Sequence, residues 1–309
     1  MIIDLVNTTT RKIEDSLTAM RHRLGGPATG KALTLVVVTD EAGQYDALRA
    51  SIDASRDHPS RILAVIPRER AGESRLDAEV HIGESGPGET VLLRLYGPLV
   101  QHAEAAVLPL LVADTPVITW WSGAAPLRPG AESLGALAQR RVTDAAGDAD
   151  PMGTLSRLAE AYRPGDTDLS WTRVTPWRSL LAAALDEPHE GITAATIEAA
   201  PRNPSAVLLG AWLAGRLGVP CELSSSCGPG ITAVRLATAS GPIAVTRPDG
   251  RMATLSRPGR PDRRAVLHRR PDAELIAEEL RQLKPDEVYR DAVRDWSRTV
   301  AVRATAGVS

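Results

Sequence analysis

Leu33-Thr34-Leu35-Val36-Val37-Val38 is six residues of apolar or β-branched character with no polar alternation. A strand with one wet face alternates, so an unbroken run marks a strand buried on both faces, the condition of a parallel sheet covered by helices. On its C-terminal side, residues 43–55 carry a helical pattern and Arg61-Ile62-Leu63-Ala64-Val65-Ile66 repeats the apolar run, which completes a β-α-β unit. On its N-terminal side, Ile13, Leu17, Met20 and Leu24 share one face of a helix over 8–24. Ala78 to Ile82, Val91 to Tyr96 and Pro116 to Trp121 add three strands, with a helix over the apolar stretch 99–112. The expected N-terminal domain, 1–147, is an α/β, Rossmann-like, mostly parallel sheet with flanking helices.

The turn-rich segment Ala145-Ala146-Gly147-Asp148-Ala149-Asp150-Pro151 reads as the domain boundary. Helices are expected over 152–163, 176–187 and 204–217, and a strand over 193–200. Beyond Cys221 the pattern changes to short runs separated by Gly and Pro, with Asp249-Gly250 as the clearest turn. Two charged helices, 272–283 and 286–300, follow. The second domain, 152–303, is expected to be α+β with an antiparallel, hairpin-rich sheet.

Length and composition bound the function. With 309 residues, 43% of them hydrophobic, the chain can build two cores. Its 36 Lys plus Arg stand against 38 Asp plus Glu, so it lacks the global positive field of a dedicated nucleic-acid binder. Only Lys12, Lys31 and Lys284 are lysines. There is no Phe, and the six Trp are the main large aromatic anchors. Neither a signal peptide nor a membrane-spanning run is present, and the chain reads as cytoplasmic. Cys221 and Cys227, six residues apart, form no CxxC motif or zinc pattern, and read as reduced thiols.

The motifs offer little catalytic chemistry. Gly25-Gly26-Pro27-Ala28-Thr29-Gly30-Lys31-Ala32 satisfies GxxxxGK but carries Ala where a magnesium-holding hydroxyl belongs, and it follows a helix and precedes a strand, the reverse of a phosphate loop. It reads as a turn. The six His show no metal-ligand spacing, so no metal, cofactor or catalytic residue is assigned. Ser224, Ser225, Ser226 and Gly228, in the run ending Cys227-Gly228-Pro229-Gly230, can form an anion nest or a plain hairpin loop, with strand signals on both sides. Residues 247–270 hold eight Arg against Asp249 and Asp262, a patch suited to an acidic protein face or an anion, or a solvated surface.

The Trp-containing segments are more informative. Thr115-Pro116-Val117-Ile118-Thr119-Trp120-Trp121 ends in two Trp at the carboxyl end of a strand, where ligands and partners of open α/β sheets gather. Asp168-Leu169-Ser170-Trp171-Thr172-Arg173-Val174-Thr175-Pro176-Trp177-Arg178 packs two Trp and two Arg into eleven residues. Trp and Arg dominate interface hot spots, although Trp also fills cores.

These segments, with His58-Pro59-Ser60-Arg61-Ile62 and Ala113-Asp114-Thr115-Pro116-Val117, resemble the glucose-6-phosphate dehydrogenase assembly family OpcA of actinobacteria and cyanobacteria. The resemblance implies a non-catalytic partner that promotes assembly and activity of glucose-6-phosphate dehydrogenase in the oxidative pentose phosphate pathway, and it supplies no catalytic residues. On that reading Arg61, Trp120, Trp121, Trp171, Arg173, Trp177 and Arg178 form or support the partner surface, with no nucleic acid or membrane involved. Homo-oligomerisation stays open. The alternative is a sugar-phosphate- or anion-binding α/β protein or enzyme using the Ser224–Gly230 loop.

Overall fold

The computed structural model describes residues 1–24, 32–56, 58–68, 72–82 and 88–306, with side chains placed up to Trp296. Gly25 to Lys31 of the GxxxxGK stretch lie outside the described residues. The chain divides into two units, one of Met1–Asp144, Arg163–Thr167 and Pro271–Pro285, the other of Ala145–Tyr162, Asp168–Arg270 and the residues from Asp286 onward. A division at 144/145 falls beside the turn-rich segment. The single boundary expected from sequence is replaced by discontinuous units, because two later segments return to the first.

The first unit opens with β1 (Ile2–Leu5), α1 (Thr10–Leu24), β2 (Leu33–Val38), α2 (Gln44–Ala54), β3 (Ser60–Arg68), β4 (Arg75–Ile82) and β5 (Glu89–Tyr96). It continues with α3 (Ala103–Val107), β6 (Val117–Trp121), α4 (Ser133–Ala136) and β7 (Arg140–Thr143). After α5 (Pro151–Glu160), in the second unit, the short strand β8 (Asp166–Asp168) completes an eight-stranded sheet ordered β1-β4-β5-β3-β2-β6-β7-β8. β2 pairs in parallel with both β3 and β6, β3 with β5, and β6 with β7, while β4 and β1 add antiparallel on one edge. The run that opened the sequence reading is thus the central strand, with Val36 registered between Leu63 and Thr119. Strand order reverses between β2 and β6, so the switch-point crevice lies at Val38 and Trp121, where Ser122 N donates to Val38 O (3.1 Å).

Two departures from the sequence reading have identifiable causes, one local and one remote. The helix expected over 99–112 is split into a 3-10 turn (Gly97–His102), α3 and a second 3-10 turn (Leu108–Leu110). Pro98 and Pro109, each at the start of a 3-10 turn, remove backbone donors and prevent one continuous helix. β7, Arg-Arg-Val-Thr, does not read as a buried strand, yet all four residues are buried. Arg140 Nε donates to Glu279 Oε2 (2.7 Å) and Arg140 Nη1 to Lys284 O (3.0 Å), while Arg141 pairs with Asp166.

The second unit holds α5, α6 (Leu169–Thr172), α7 (Thr175–Asp186), β9 (Ala194–Ala199), α8 (Pro204–Leu217) and β10 (Cys221–Ser225). It adds β11 (Ile231–Ala237), β12 (Ile243–Thr246), β13 (Met252–Ser256) and β14 (Arg263–Val266). Its six-stranded sheet runs β10-β9-β11-β12-β13-β14. From β9 to β14 the pairs are antiparallel, but β10 joins β9 in parallel, so Ser226–Gly230 crosses from one side of β9 to the other instead of closing a hairpin. Ile197, Val234, Val245 and Leu255 line up across four strands on the face against which α7 and α8 pack. α8 is well delimited: Asn203 Oδ1 accepts from Ala206 N (3.2 Å), Pro204 sits at the first turn, and Gly218 takes φ +67° at the C-cap. The Asp249-Gly250 turn forms as read, with Gly250 at φ +72° and Asp249 Oδ1 accepting from Arg251 N (2.9 Å).

The chain then returns to the first unit as α9 (Asp272–Arg281), which packs on α2 and carries Glu279, before α10 (Glu287–Ala306) ends the second unit against α8. Arg140 and Glu279 are both buried, and removing one takes the opposite charge away from the other. Arg140→Ala is expected to lower unfolding stability by about 3–5 kcal/mol in urea titrations, whereas the paired replacement Arg140→Met with Glu279→Leu costs less than either single change.

Candidate partner interface

Asp168 starts the Trp-rich segment by capping α6: Oδ1 accepts from Ser170 N (2.9 Å) and Oδ2 from Ala145 N (2.8 Å). Pro176 then occupies the first turn of α7. This short helix-turn-helix turns Trp171 and Trp177 inward, leaving them 1% and 2% exposed. Trp171 Nε1 donates to Asp286 Oδ2 (2.8 Å), and its ring lies 5.9 Å from that of Tyr289, which meets Tyr162 edge-on at 6.0 Å. The Arg178 guanidinium stacks on Trp171, 3.8 Å from the ring centroid, and its Nη2 donates to Thr175 Oγ1 (2.9 Å). Arg173 and Arg178 are half-buried and reach the surface.

Trp177 is backed by Arg247, 4.9 Å from its centroid. Arg247 is buried, and its Nη1 and Nη2 donate to Leu267 O (3.0 Å) and Ile231 O (2.9 Å). Burial, and then the charge of Arg269, push its pKa down to about 10. It braces β11, β12 and the segment after β14.

The first unit's candidates are also interior. Trp120 and Trp121 are 2% and 4% exposed, and a Cβ added at Gly135 would meet the Pro129 carbonyl and come within 3.1 Å of the Trp121 ring. Arg61, 4% exposed, binds Glu89 (2.9 Å), Glu14 (3.3 Å) and Leu110 O (2.7 Å), joining β3 to β5, α1 and the turn after α3. Of the seven residues the sequence singled out, Arg173 and Arg178 are the two that reach the surface; the other five are packed inside, each within its own unit. Trp212, read as core, is half-buried and lines a concavity of about 240 Å³ together with Ala292.

Of the anion-loop candidates, Ser224 and Ser225 lie not in the loop but at the end of β10, paired with β9 and exposed; in the loop Cys227 is exposed, while Ser226 Oγ accepts from Thr232 Oγ1 (2.7 Å). A Cβ at Gly228 would strike Thr232 Cγ2. Beside the loop is a concavity of about 310 Å³ lined by Glu198, Ser226, Gly228, Ala233 and Arg235, in which Arg235 is ion-paired with Glu198 (3.0 Å). Sequence reasoning missed Asp286 and Tyr289, which stand more than a hundred residues from Trp171, and the Glu198–Arg235 pair. No local motif links them.

Two family models match the chain: a glucose-6-phosphate dehydrogenase subunit N-terminal domain over residues 51–160 and the corresponding C-terminal domain over 164–293, both of the OpcA type. The chain belongs to the OpcA family. A curated relative from Nostoc punctiforme, named for the OxPP cycle and called OpcA, is 26% identical over 230 residues, which cover 64% of this chain and 50% of that protein. The match thus spans half of the relative's length. Among solved structures, KijD10, a 3-ketoreductase from Actinomadura kijaniata, aligns over 88% of this chain and 97% of its own with TM-score 0.52 and 14% identity. An oxidoreductase from Sinorhizobium meliloti covers 90% and 98% with TM-score 0.50 and 12% identity. At such identities the likeness concerns the fold, and OpcA-family membership rests on the sequence models.

The two thiols, both free, differ in environment. Burial, and then the Glu222 carboxylate, push Cys221 up to about 11, whereas Cys227 is exposed. A raised pKa means little thiolate at pH 8, so titration of the native protein with Ellman's reagent is expected to give one fast and one slow thiol, the slow phase accelerating toward pH 11. Two equally fast thiols would contradict this placement.

Proposed function

We propose that this OpcA-family chain is a non-catalytic, cytoplasmic assembly factor that binds glucose-6-phosphate dehydrogenase and promotes its active oligomeric state. The observation that carries the reading is the pair of family models, both described as glucose-6-phosphate dehydrogenase subunit domains and together covering residues 51–160 and 164–293. No helix among the described residues is long and apolar enough to cross a membrane.

The switch point supports a departure from the chemistry of oxidoreductases with this fold. A dinucleotide's pyrophosphate needs free amides at the helix that follows the first central strand. Here the β2–α2 loop is Thr39-Asp40-Glu41-Ala42-Gly43, Asp40 Oδ1 already accepts from Gly43 N (2.6 Å), and Asp46 lies in the first turn of α2. Glu41 is paired with Arg68 at the end of β3, and the Asp40 and Asp46 carboxylates so placed repel a diphosphate.

On this proposal Arg173 and Arg178 touch the dehydrogenase, Trp171 holds Arg178 from beneath, and Trp177, backed by Arg247, supports the helix that carries Arg178. Trp120, Trp121 and Arg61 support the first unit. An assembly factor acts by binding the active state of its partner more tightly than the inactive one, because only differential affinity shifts a population.

The test mixes the purified chain with its cognate dehydrogenase and follows NADPH formation and binding. The Arg173→Ala, Arg178→Ala double variant, with its circular dichroism unchanged, is expected to bind at least ~10-fold more weakly and to activate less. Wild-type binding and activation by that variant would remove the segment from the interface. Calorimetry on the chain alone with glucose 6-phosphate and with NADPH separates the alternative, since tight binding of either would favour a small-molecule site.

A further inference from the structure

The second unit's sheet has two unlike faces. α7 and α8 pack on one. On the other, the strand register aligns Ser224, Glu198, Ala233, Thr246, Thr254 and Arg264 in one row across all six strands. The neighbouring row is Glu222, Thr196, Arg235, Ala244 and Ser256. Past the first row, toward the crossing loop, Met252 and Val266 stand as a cross-strand pair, 41% and 73% exposed. The middle of the face is built from small residues, so another sheet could approach to about 10 Å.

Charge is distributed unevenly over this face. Glu198 on β9 is ion-paired with Arg235 on β11, which leaves Glu222 on β10 as the acidic group at one side and Arg264 on β14 as the basic group at the other. Glu222 and Arg264 hold no ion pair among the described residues, and both are exposed. The relief is uneven in the same sense. The 310 Å³ concavity runs from Glu198 on β9 past Ala233 and Arg235 on β11 to Thr246 on β12, reaching the middle of the face, and the Met252–Val266 pair stands exposed on the basic side, level with the Ser226 end of the concavity. The face is therefore complementary to a rotated copy of itself.

We infer that this open face is the interface of a homodimer, in which β9 and β10 of each copy lie over β13 and β14 of the other. A two-fold axis between packed sheets must lie in the plane between them. Run along the strands, it exchanges β10 with β14 and keeps the rows level, so Glu222 comes over the partner copy's basic side while Met252 meets the Glu198 and Ser226 end of the partner copy's concavity, with Val266 beside it over β10. Run across the strands, it would set Glu222 against Glu222 and Arg264 against Arg264, a like-charge arrangement that costs affinity. Six strands of about five residues give a face on the order of 500 Å² in projection, and about 1,000 Å² for two copies before side-chain relief is counted, enough for a specific interface. The inference concerns the chain with itself and does not rest on the dehydrogenase reading.

Sedimentation velocity of the full chain at tens of micromolar tests it. The wild type is expected to sediment as a dimer, Glu222→Arg and Arg264→Glu each to raise the dimer dissociation constant at least ~10-fold, and the double variant carrying both to recover most of that loss. Val266→Asp, a change at an exposed position that leaves the fold intact, is expected to give monomer. A monomeric wild type, or a dimer indifferent to all four variants, overturns the inference. Loss of dehydrogenase binding by these variants with self-association unchanged would likewise overturn it and assign the face to the dehydrogenase.

Discussion

The buried guanidinium groups are the constraint on which the structure depends. A charge withdrawn from water is tolerated only where partners surround it, and this chain uses that requirement to join distant segments. Arg140, bound to Glu279 and Lys284 O, fastens the late helix α9 to a strand laid down some 140 residues earlier. Arg141 with Asp166 fixes the brief return that forms β8. Arg61 with Glu89 and Glu14 ties α1 to the sheet. Arg247 does the same in the second unit with two carbonyls and the Trp177 ring. A five-donor planar group suits such bracing better than a lysine ammonium. With 33 Arg among 36 basic residues and no Phe, the chain builds its interior from aliphatic side chains, Trp and these braces.

Much of the fold was legible because its signals are local. Leu33–Val38 and Arg61–Ile66 are apolar throughout and became the central strands β2 and β3, and the Asn203-Pro204 start and Gly218 end of α8 carry their own capping chemistry. What was not legible depends on partners remote in sequence. β7 begins with two arginines and β8 consists of Asp-Thr-Asp, patterns that read as surface until Glu279 and the Arg141–Asp166 pair neutralise them. The discontinuity of the units was hidden for the same reason. β10 was missed because Cys-Glu-Leu-Ser-Ser is a weakly apolar edge strand.

The same distinction governs the candidate site. Trp171 and Trp177 were singled out because Trp and Arg cluster there, and the cluster is real, but its cohesion comes from Asp286 and Tyr289, far along the chain. Burial gives the tryptophans a supporting role in the proposal and leaves the contacts to the half-buried arginines. The switch-point loop was also unremarkable as sequence. Only the sheet order sets Asp40 and Glu41 at the carboxyl end of β2, beside the point where the strand order reverses.

On the proposed function, an oxidoreductase-like fold serves as a binding scaffold for the dehydrogenase. Native mass spectrometry of the chain mixed with its cognate glucose-6-phosphate dehydrogenase, read alongside NADPH formation in the same sample, is the decisive measurement. A complex of fixed stoichiometry is expected, its formation tracking the rise in dehydrogenase activity. Two proteins that never share a mass peak, with activity unchanged by the chain, would refute the proposal.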